Sequence, residues 1–270
     1  MAPGAGRPAT AGSACVLYMG FMTLPAYDRL GTTYTTTRRE DPDLAHQIHA
    51  ALGPGRTLVN VGAGAGAYEP RDRMVVAVEP SPVMIAQRPA DAAVAVVAAA
   101  ERLPFVDDSF DVAMALHTVH HWDDPAAGLA ELRRVARRVV VVAGDAGVCD
   151  RLWPAADYFP GLRFGGRLEV QPAVIAENLG GAVEIRPLLI PIDCIDGFPE
   201  AFIARPEAYL NPAVRCNISA FRRLPEHQAA HGITRLRRDL ASGAWDARYG
   251  HLRRLRYLDG GLRIVISDRG

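Results

Sequence analysis

The chain of 270 residues contains no lysine, so all 30 of its Lys-plus-Arg residues are arginine, and they balance 30 aspartates and glutamates. Without lysine, Schiff-base chemistry and a lysine general base are excluded. A formal net charge of zero provides no field that would attract nucleic acid or an anionic membrane. Arginine pairs such as Arg133-Arg134 and Arg222-Arg223 lie among acidic residues. We therefore expect no nucleic-acid partner and no membrane partner.

Cysteine and long apolar runs are also scarce. The four cysteines are far apart, with no C-x-x-C and no histidine at zinc-ligand spacing. We expect reduced thiols in a cytoplasmic protein, and no metal site. No apolar run reaches the ~20 residues that a membrane helix needs. The first residues lack the basic start and cleavage site of a secretory signal, so residues 1–23 are predicted to be a disordered leader.

The most informative stretch is residues 57–66, T-L-V-N-V-G-A-G-A-G. Its apolar half has the length of a buried strand, and Gly62, Gly64 and Gly66 follow at every second position. Glycines allow a ligand to approach the backbone closely, and the end of a parallel strand exposes unpaired N–H groups. The stretch predicts a nucleotide-cofactor loop. An ordinary glycine-rich turn is the alternative, because a single glycine motif is a weak signal.

The residues around this loop alternate between strand and helix patterns. Five strand-helix repeats in this span predict a doubly wound parallel sheet with right-handed crossovers. Met74 comes only eight residues after Gly66, so the first crossover helix is predicted to be a turn or two. The predicted strands are 57–61, 74–78, 93–99, 110–116 and 139–143, and the predicted helices are 42–52, 83–88 and 123–136.

The remaining chain has a looser pattern. Helices are predicted at 173–179, 200–205, 207–210 and 225–242, and a sixth strand at 183–190. A last strand at 262–266 follows Gly260-Gly261 and is predicted to pair antiparallel with the sixth. We expect a single domain over 24–270. It divides into an N-terminal lid (24–40), a cofactor-binding half (41–148), a cap (149–170) and the C-terminal sheet and helices (171–270).

Acidic and imidazole side chains follow the predicted strands. Glu79 ends the second strand, 17 residues after Gly62, where a carboxylate can accept hydrogen bonds from both hydroxyls of a ribose. A solvated strand end is the alternative. His120 and His121 follow the fourth strand and Asp145 the fifth, so all three are expected beside the cofactor loop.

Imidazole has a pKa near working pH, and a carboxylate can fix its tautomer. We therefore predict His120 or His121 as a general base with Asp145 as its partner. Alternatively, one histidine caps the next helix and the other packs under Trp122.

Four ordered blocks, N-V-G-A-G-A-G, V-A-V-E-P-S, A-E-R-L-P-F-V-D-D-S-F-D and H-T-V-H-H-W-D-D-P, together resemble the class I S-adenosylmethionine-dependent methyltransferases. The nearest branch contains quinone-biosynthesis C-methyltransferases and natural-product sugar O-methyltransferases, which carry a similar His-His and Asp arrangement. The resemblance is dense over residues 27–145. It implies an α/β, doubly wound, mostly parallel seven-stranded sheet with a small cap and an antiparallel last strand. It also implies methyl transfer from S-adenosyl-L-methionine to a small-molecule acceptor.

Two other functions stay open from the sequence. Gly62, Gly64 and Ala67 also satisfy the G-x-G-x-x-A pattern of an NAD(P)-dependent oxidoreductase. The block from Leu103 to Asp111 is not needed by a dinucleotide fold and counts against that function. The third possibility is a catalytically silent S-adenosylmethionine-binding protein.

The resemblance also implies roles for individual residues. The glycines would cradle the methionine and ribose, Glu79 would hold the ribose hydroxyls, and His117 would lie beside the methionine. The family usually has an acid where this chain has Asn60, and another where it has Ala99. The implied cofactor-binding residues are Asn60, Gly62, Ala63, Gly64, Gly66, Glu79, Pro80, Met84, Ala100, Glu101 and His117.

Acceptor binding is predicted outside the core loops, because those loops are committed to the cofactor. The candidates lie in the lid, in the cap and in the loop after the sixth strand. Their aromatic rings suggest a flat or apolar small molecule. In-line displacement at a sulfonium methyl needs no metal. The predicted substrate-binding residues are Tyr27, Tyr34, Arg38, Trp153, Asp193 and Asp196.

Overall fold

The computed structural model describes residues 17–18, 38–216 and 218–269. The predicted lid residues Tyr27 and Tyr34 lie outside the described residues, and so does most of the predicted leader.

An eight-stranded sheet forms the centre of the molecule. Its strands are β1 (Leu17–Tyr18), β2 (Thr57–Val61), β3 (Met74–Val78), β4 (Val94–Val97), β5 (Phe110–Leu116), β6 (Ala136–Gly144), β7 (Ala182–Pro187) and β10 (Leu262–Asp268). The order across the sheet is β1-β4-β3-β2-β5-β6-β10-β7. The short strands β8 (Ile190–Pro191) and β9 (Tyr257–Leu258) pair separately.

The pairing confirms the predicted fold class. Strands β1 to β6 are paired in parallel, whereas β10 lies antiparallel between β6 and β7. Seven of the eight strands are thus the predicted mostly parallel sheet with its antiparallel last strand. The eighth, β1, lies within the predicted leader and pairs with Val96 and Val97.

The helices begin where the sequence places capping residues. The side chains of Asp41, Ser81 and Asp124 accept N–H groups of the first helical turns, and a proline follows each. The helices are α1 (Pro42–Leu52), α2 (Pro82–Ile85), α3 (Pro125–Val135), α4 (Ala146–Cys149), α5 (Pro172–Leu179), α6 (Pro212–Cys216), α7 (Ser219–Arg222), α8 (Glu226–Ala241) and α9 (Ala244–Tyr249). Among the described residues, five 3₁₀ turns occur at Val119–His121, Leu168–Val170, Pro199–Phe202, Pro206–Leu210 and Gly250–Arg254, and a π turn at Pro154–Tyr158.

Apolar layers cover both faces of the sheet. On one face, helices α3 and α5 contribute Leu129, Leu132 and Ile175. On the other, helix α1 contributes Leu44 and Leu52. Full burial of each such side chain stabilises the fold by about 1.5–3 kcal/mol. The sheet is therefore fixed from both sides, and its carboxyl edge is left for the loops.

The connection between β2 and β3 differs from the prediction, because residues 62–73 contain no helix. Three glycines with positive φ interrupt helical geometry, and Pro70 removes a backbone donor. Tyr68 is buried and joins the apolar layer of helix α1. A buried tyrosine from an irregular loop therefore packs where a crossover helix was expected.

The cap is larger than the predicted residues 149–170. Its aromatic core joins Trp153, Tyr158 and Phe159 to Tyr209 and Trp245, which come much later in the chain. Trp153 makes edge-on ring contacts with Tyr158, Tyr209 and Trp245, at centroid distances of 5.4 to 5.5 Å. The cap is thus a helical layer with its own core, built from two separate parts of the chain.

Candidate active site

The glycine loop begins where β2 ends. Gly62, Gly64 and Gly66 have φ values of 70°, 51° and 92°, in the region that favours glycine. A Cβ added at Gly62 would overlap the Thr118 side chain. The N–H groups of Gly62 and Ala63 both donate to the carbonyl oxygen of Val78, at 2.8 and 3.0 Å. The loop is thus tied to the end of β3, and Thr118 occupies the space that a side chain at Gly62 would need.

Glu79 joins this loop to helix α2. Its side chain is buried, with Oε2 accepting from Gly64 N–H at 2.8 Å and Oε1 from Ser81 N–H at 3.0 Å. Met84 packs nearby, with Cε 3.4 Å from the position of a Cβ on Gly64. Pro80 is half-buried between Glu79 and Ser81. The structure therefore brings together the predicted cofactor residues of the first two strand ends.

Asn60 has an acidic neighbour that the sequence analysis missed. Its Nδ2 donates to Oε1 of Glu69 at 3.0 Å, and Glu69 forms a buried ion pair with Arg88, 2.7 Å between Oε2 and Nη2. Arg88 Nη1 also donates to the carbonyl oxygen of Gly64 at 3.3 Å. The loop between β2 and β3 thus places the Glu69 carboxylate beside Asn60, at the position where the family usually has an acid. The sequence signal for this arrangement was the short connection between Gly66 and Met74.

Glu101 has a structural partner of its own. Its Oε1 accepts from the N–H groups of Asp123 and Asp124, at 2.9 and 3.2 Å, and so fixes the segment before helix α3. Ala100 is buried beside it. The carboxylate predicted at the polar edge of the adenine therefore holds the loop that follows β5.

His117 follows β5 in a left-handed conformation, with φ 52°. Its N–H donates to the carbonyl oxygen of Val142 at 3.0 Å, and its ring stacks on Phe198 with centroids 5.8 Å apart. Burial lowers the pKa of His117 to about 4. The imidazole is therefore neutral at pH 7.

Arg38 and Asp196, both predicted to bind substrate, bind each other. Arg38 Nε lies 2.6 Å from Asp196 Oδ1, and Tyr68 Oη donates to Asp196 Oδ2 at 2.9 Å. Asp196 is 1% exposed. Asp193 is exposed. Asp196 is thus engaged by Arg38 and Tyr68, and its role in acceptor binding stays a prediction.

Trp153 is placed differently from the prediction. It is buried in the aromatic core of the cap, and its Nε1–H donates to the carbonyl oxygen of Ile203 at 2.8 Å. Its ring and its donor are both used by the fold. Trp153 therefore supports the cap from inside and does not offer a face to a substrate in this structure.

His120 and His121 lie side by side, with ring centroids 3.8 Å apart, whereas Asp145 has partners of its own. His120 lines a cavity, whereas His121 is exposed. Asp145 caps helix α4 by accepting from Gly147 N–H at 2.9 Å, and its Oδ2 lies 3.6 Å from Arg263 Nε. This corrects the prediction of Asp145 as partner of the base, because its carboxylate serves the helix cap. Burial and the neighbouring His121 lower the pKa of His120 well below its ordinary value.

The cavity lies at the carboxyl ends of β5 and β6 and has a volume of about 70 Å³. Its walls include His117, His120, Gly144, Phe164, Glu200 and Arg223. Glu200 is 3% exposed, and burial raises its pKa to about 7. The sequence analysis missed this residue. The available signal was one acid within the otherwise apolar run G-F-P-E-A-F-I.

Metal and membrane features are absent from the described part of the chain. Within residues 38–216 and 218–269, no group of three or more His, Cys, Asp or Glu side chains is arranged to hold a metal ion. No helix in the same ranges has the length and apolarity required to span a bilayer.

Comparisons with known proteins extend these observations. A family model described as a methyltransferase domain matches residues 59–142. The solved structure of a "Putative methyltransferase from antibiotic biosynthesis pathway" of Anabaena variabilis has 30% identity and a TM-score of 0.77. That match covers 86% of this chain and 99% of that chain. A SAM-dependent methyltransferase of Thermotoga maritima, with 15% identity and a TM-score of 0.52, shares the fold over 90% of this chain and 98% of that chain.

One curated relative matches only locally. The uncharacterized protein YafE of Escherichia coli is 42% identical over 38 residues, which are 14% of this chain and 18% of that protein. The likeness to the Anabaena structure, in contrast, extends over nearly all of that chain. The chain belongs to the class I S-adenosylmethionine-dependent methyltransferases.

Proposed function

We propose that this enzyme transfers a methyl group to a small-molecule acceptor bound in the cavity between His117 and Glu200. The observation that carries the proposal is the junction of the two sites. Thr118 packs directly on Gly62 of the glycine loop, and the preceding residue, His117, lines the cavity. A cofactor on the loop and an acceptor in the cavity would therefore meet at one short segment.

The residues around the loop fit S-adenosylmethionine. A Cβ at Gly62 would overlap Thr118 and one at Gly66 would lie 3.0 Å from Arg88 Nη1, so glycine lets the loop backbone pack closely on these neighbours. The buried Glu79 carboxylate lies at the strand end where a ribose diol can be held. Ala63, Pro80, Met84 and Ala100 supply apolar surface for the adenosyl group, and His117 borders the methionine part.

S-adenosylmethionine supplies a methyl group on a positively charged sulfur. The contribution of the chain is to hold the acceptor nucleophile in line and to exclude water. His117 and His120 are neutral at pH 7 and can position an acceptor by hydrogen bonds. His121, which is exposed, lies at the outside of this site.

The acceptor class follows from size and charge. A cavity of about 70 Å³ admits a small group, and the walls are mostly buried. The net charge of zero offers no continuous basic stripe for phosphates. A small molecule is therefore favoured over nucleic acid.

Calorimetric titration with S-adenosylmethionine and with NAD⁺ tests the cofactor assignment. The wild-type protein is expected to bind the first and not the second. Replacing Glu79 by Gln removes a charged acceptor and is expected to weaken S-adenosylmethionine binding by about 10- to 100-fold. The matched control is Glu177→Gln, an exposed glutamate on α5, which should bind as wild type does. Binding of NAD⁺ alone would refute the proposal.

A further inference from the structure

Glu200 is a buried carboxyl at the wall of the cavity. Glu200 lies in the 3₁₀ turn Pro199–Phe202. This turn packs against Gly260, where an added Cβ would lie 3.0 Å from the Cβ of Glu200. Its side-chain hydrogen-bond partner is the Cys149 thiol, with Sγ 4.0 Å from Oε1. None of the ion pairs formed by the described residues includes Glu200. The fold thus encloses a carboxyl beside the cavity, and no described cation is in ion-pair contact with it.

Glu200 is better suited than His117 to accept a proton near neutral pH. Burial raises the pKa of Glu200 to about 7 but lowers that of His117 to about 4. A base works best when its pKa is near the working pH. The titratable and charged groups around Glu200, from all elements packed against it, are Cys149, Tyr209, Arg38, His117, His120, Arg163 and Arg223.

We propose that Glu200 accepts the proton of a hydroxyl acceptor held in this cavity. The proposal rests on the proposed function and adds the acceptor atom and the base. A hydroxyl keeps its proton at neutral pH and is then a weak nucleophile, so it needs a base during transfer. Arg163 and Arg223 at the cavity wall disfavour a cationic ammonium acceptor.

Methyl transfer with proton transfer to Glu200 forms two bonds and breaks two. The acceptor oxygen forms the new C–O bond, its O–H bond breaks, and the proton passes to the Glu200 carboxylate. The electron pair of the broken C–S bond stays on the cofactor sulfur, which becomes neutral. Glu200 then returns the proton to solvent, since a pKa of about 7 allows its release near neutral pH.

The first test needs no acceptor. Potentiometric titration of the native protein, between about pH 3 and 9, compares wild type with Glu200→Gln. The variant is expected to lack one group that titrates near pH 7. The matched control, Glu207→Gln, removes a glutamate that pairs with Arg253 at the surface and should leave that step unchanged. A difference centred at the ordinary glutamate pKa would overturn the proposal.

The second test measures transfer of a radiolabelled methyl group to phenol, catechol and 4-hydroxybenzoate, with aniline and 4-aminobenzoate as matched amines. Glu200→Gln is expected to lower transfer to the hydroxyl probes by about 100-fold or more and to flatten its rise through pH 7. S-adenosylmethionine affinity should stay within a few-fold.

The outcomes separate this proposal from the proposed function. Transfer to the amines alone, or unchanged transfer by Glu200→Gln, overturns the role of Glu200 while leaving methyl transfer intact. Failure of the wild-type protein to bind S-adenosylmethionine overturns both.

Discussion

Two carboxylates, Glu69 and Glu200, are both enclosed by the protein, but their surroundings are opposite. Glu69 is held by Arg88 and Asn60 beside the glycine loop. Glu200 faces a cavity and has a thiol as its side-chain partner. A compensated carboxylate keeps its charge and can fix a loop, whereas an uncompensated one binds its proton tightly and can exchange it near neutral pH. We therefore assign a positioning role to Glu69 and proton transfer to Glu200.

Removing the cation from the compensated pair should have the largest effect. Arg88→Met leaves the enclosed Glu69 carboxylate without its cation and with the Asn60 amide as its remaining donor among the contacts described above, which costs about 3–5 kcal/mol of unfolding free energy. Urea unfolding followed by circular dichroism measures this change. Arg71→Met is the matched control, because the ion pair of Arg71 with Asp91 is exposed, and little change is expected. Equal losses in both variants would show that enclosure does not matter at Glu69.

The pH dependence of stability should separate Glu200 from His117. The folded pKa of Glu200, about 7, is above its ordinary 4.5, so its contribution is complete below pH 4.5 and is lost as pH rises through 7. The folded pKa of His117, about 4, is below 6.5, so its contribution is present above pH 6.5 and is lost as pH falls through 4.

Each contribution is on the order of 3 kcal/mol. Unfolding free energies of wild type, Glu200→Gln and His117→Gln, measured from acid to neutral pH, test these signs. The difference between wild type and Glu200→Gln should fall with pH, and that for His117→Gln should rise. Parallel curves for all three proteins would contradict the folded-state pKa values given to Glu200 and His117.

A third prediction concerns the backbone of the loop. Gly62 and Gly180 both have positive φ, but only Gly62 has a neighbour, Thr118, that an added Cβ would overlap. Gly180→Ala should cost about 1–2 kcal/mol for the left-handed conformation alone. Gly62→Ala should cost more and also weaken S-adenosylmethionine binding. Thermal unfolding and calorimetry measure both effects. Equal stability of the two variants would show that the loop tolerates a side chain.

The sequence was informative where a signal is local. The proline after each capping residue located helices α1, α2 and α3, and the spaced glycines located the loop after β2. Gly260-Gly261 likewise preceded the antiparallel last strand. These features depend on backbone conformation within a few residues, so a single sequence can specify them.

Features that depend on distant contacts could not be predicted in the same way. Glu69 meets Arg88 because the first crossover has no helix, and Glu200 is enclosed because a 3₁₀ turn docks against Gly260. Trp153 was predicted to face a substrate because an aromatic residue has the same pattern in a cap core as at a ligand. Its partners Tyr209 and Trp245 are more than fifty residues away in sequence.

The central claim is that the glycine loop holds the cofactor and that the cavity remains for the acceptor. A crystal structure with S-adenosylhomocysteine is the most direct test of it. The account predicts that the ligand lies along Gly62, Gly64 and Gly66, that its ribose hydroxyls contact Glu79, and that the space beside Glu200 stays open. An adenosyl group inside the cavity at Glu200, with no contact between the ligand and Glu79, would contradict it.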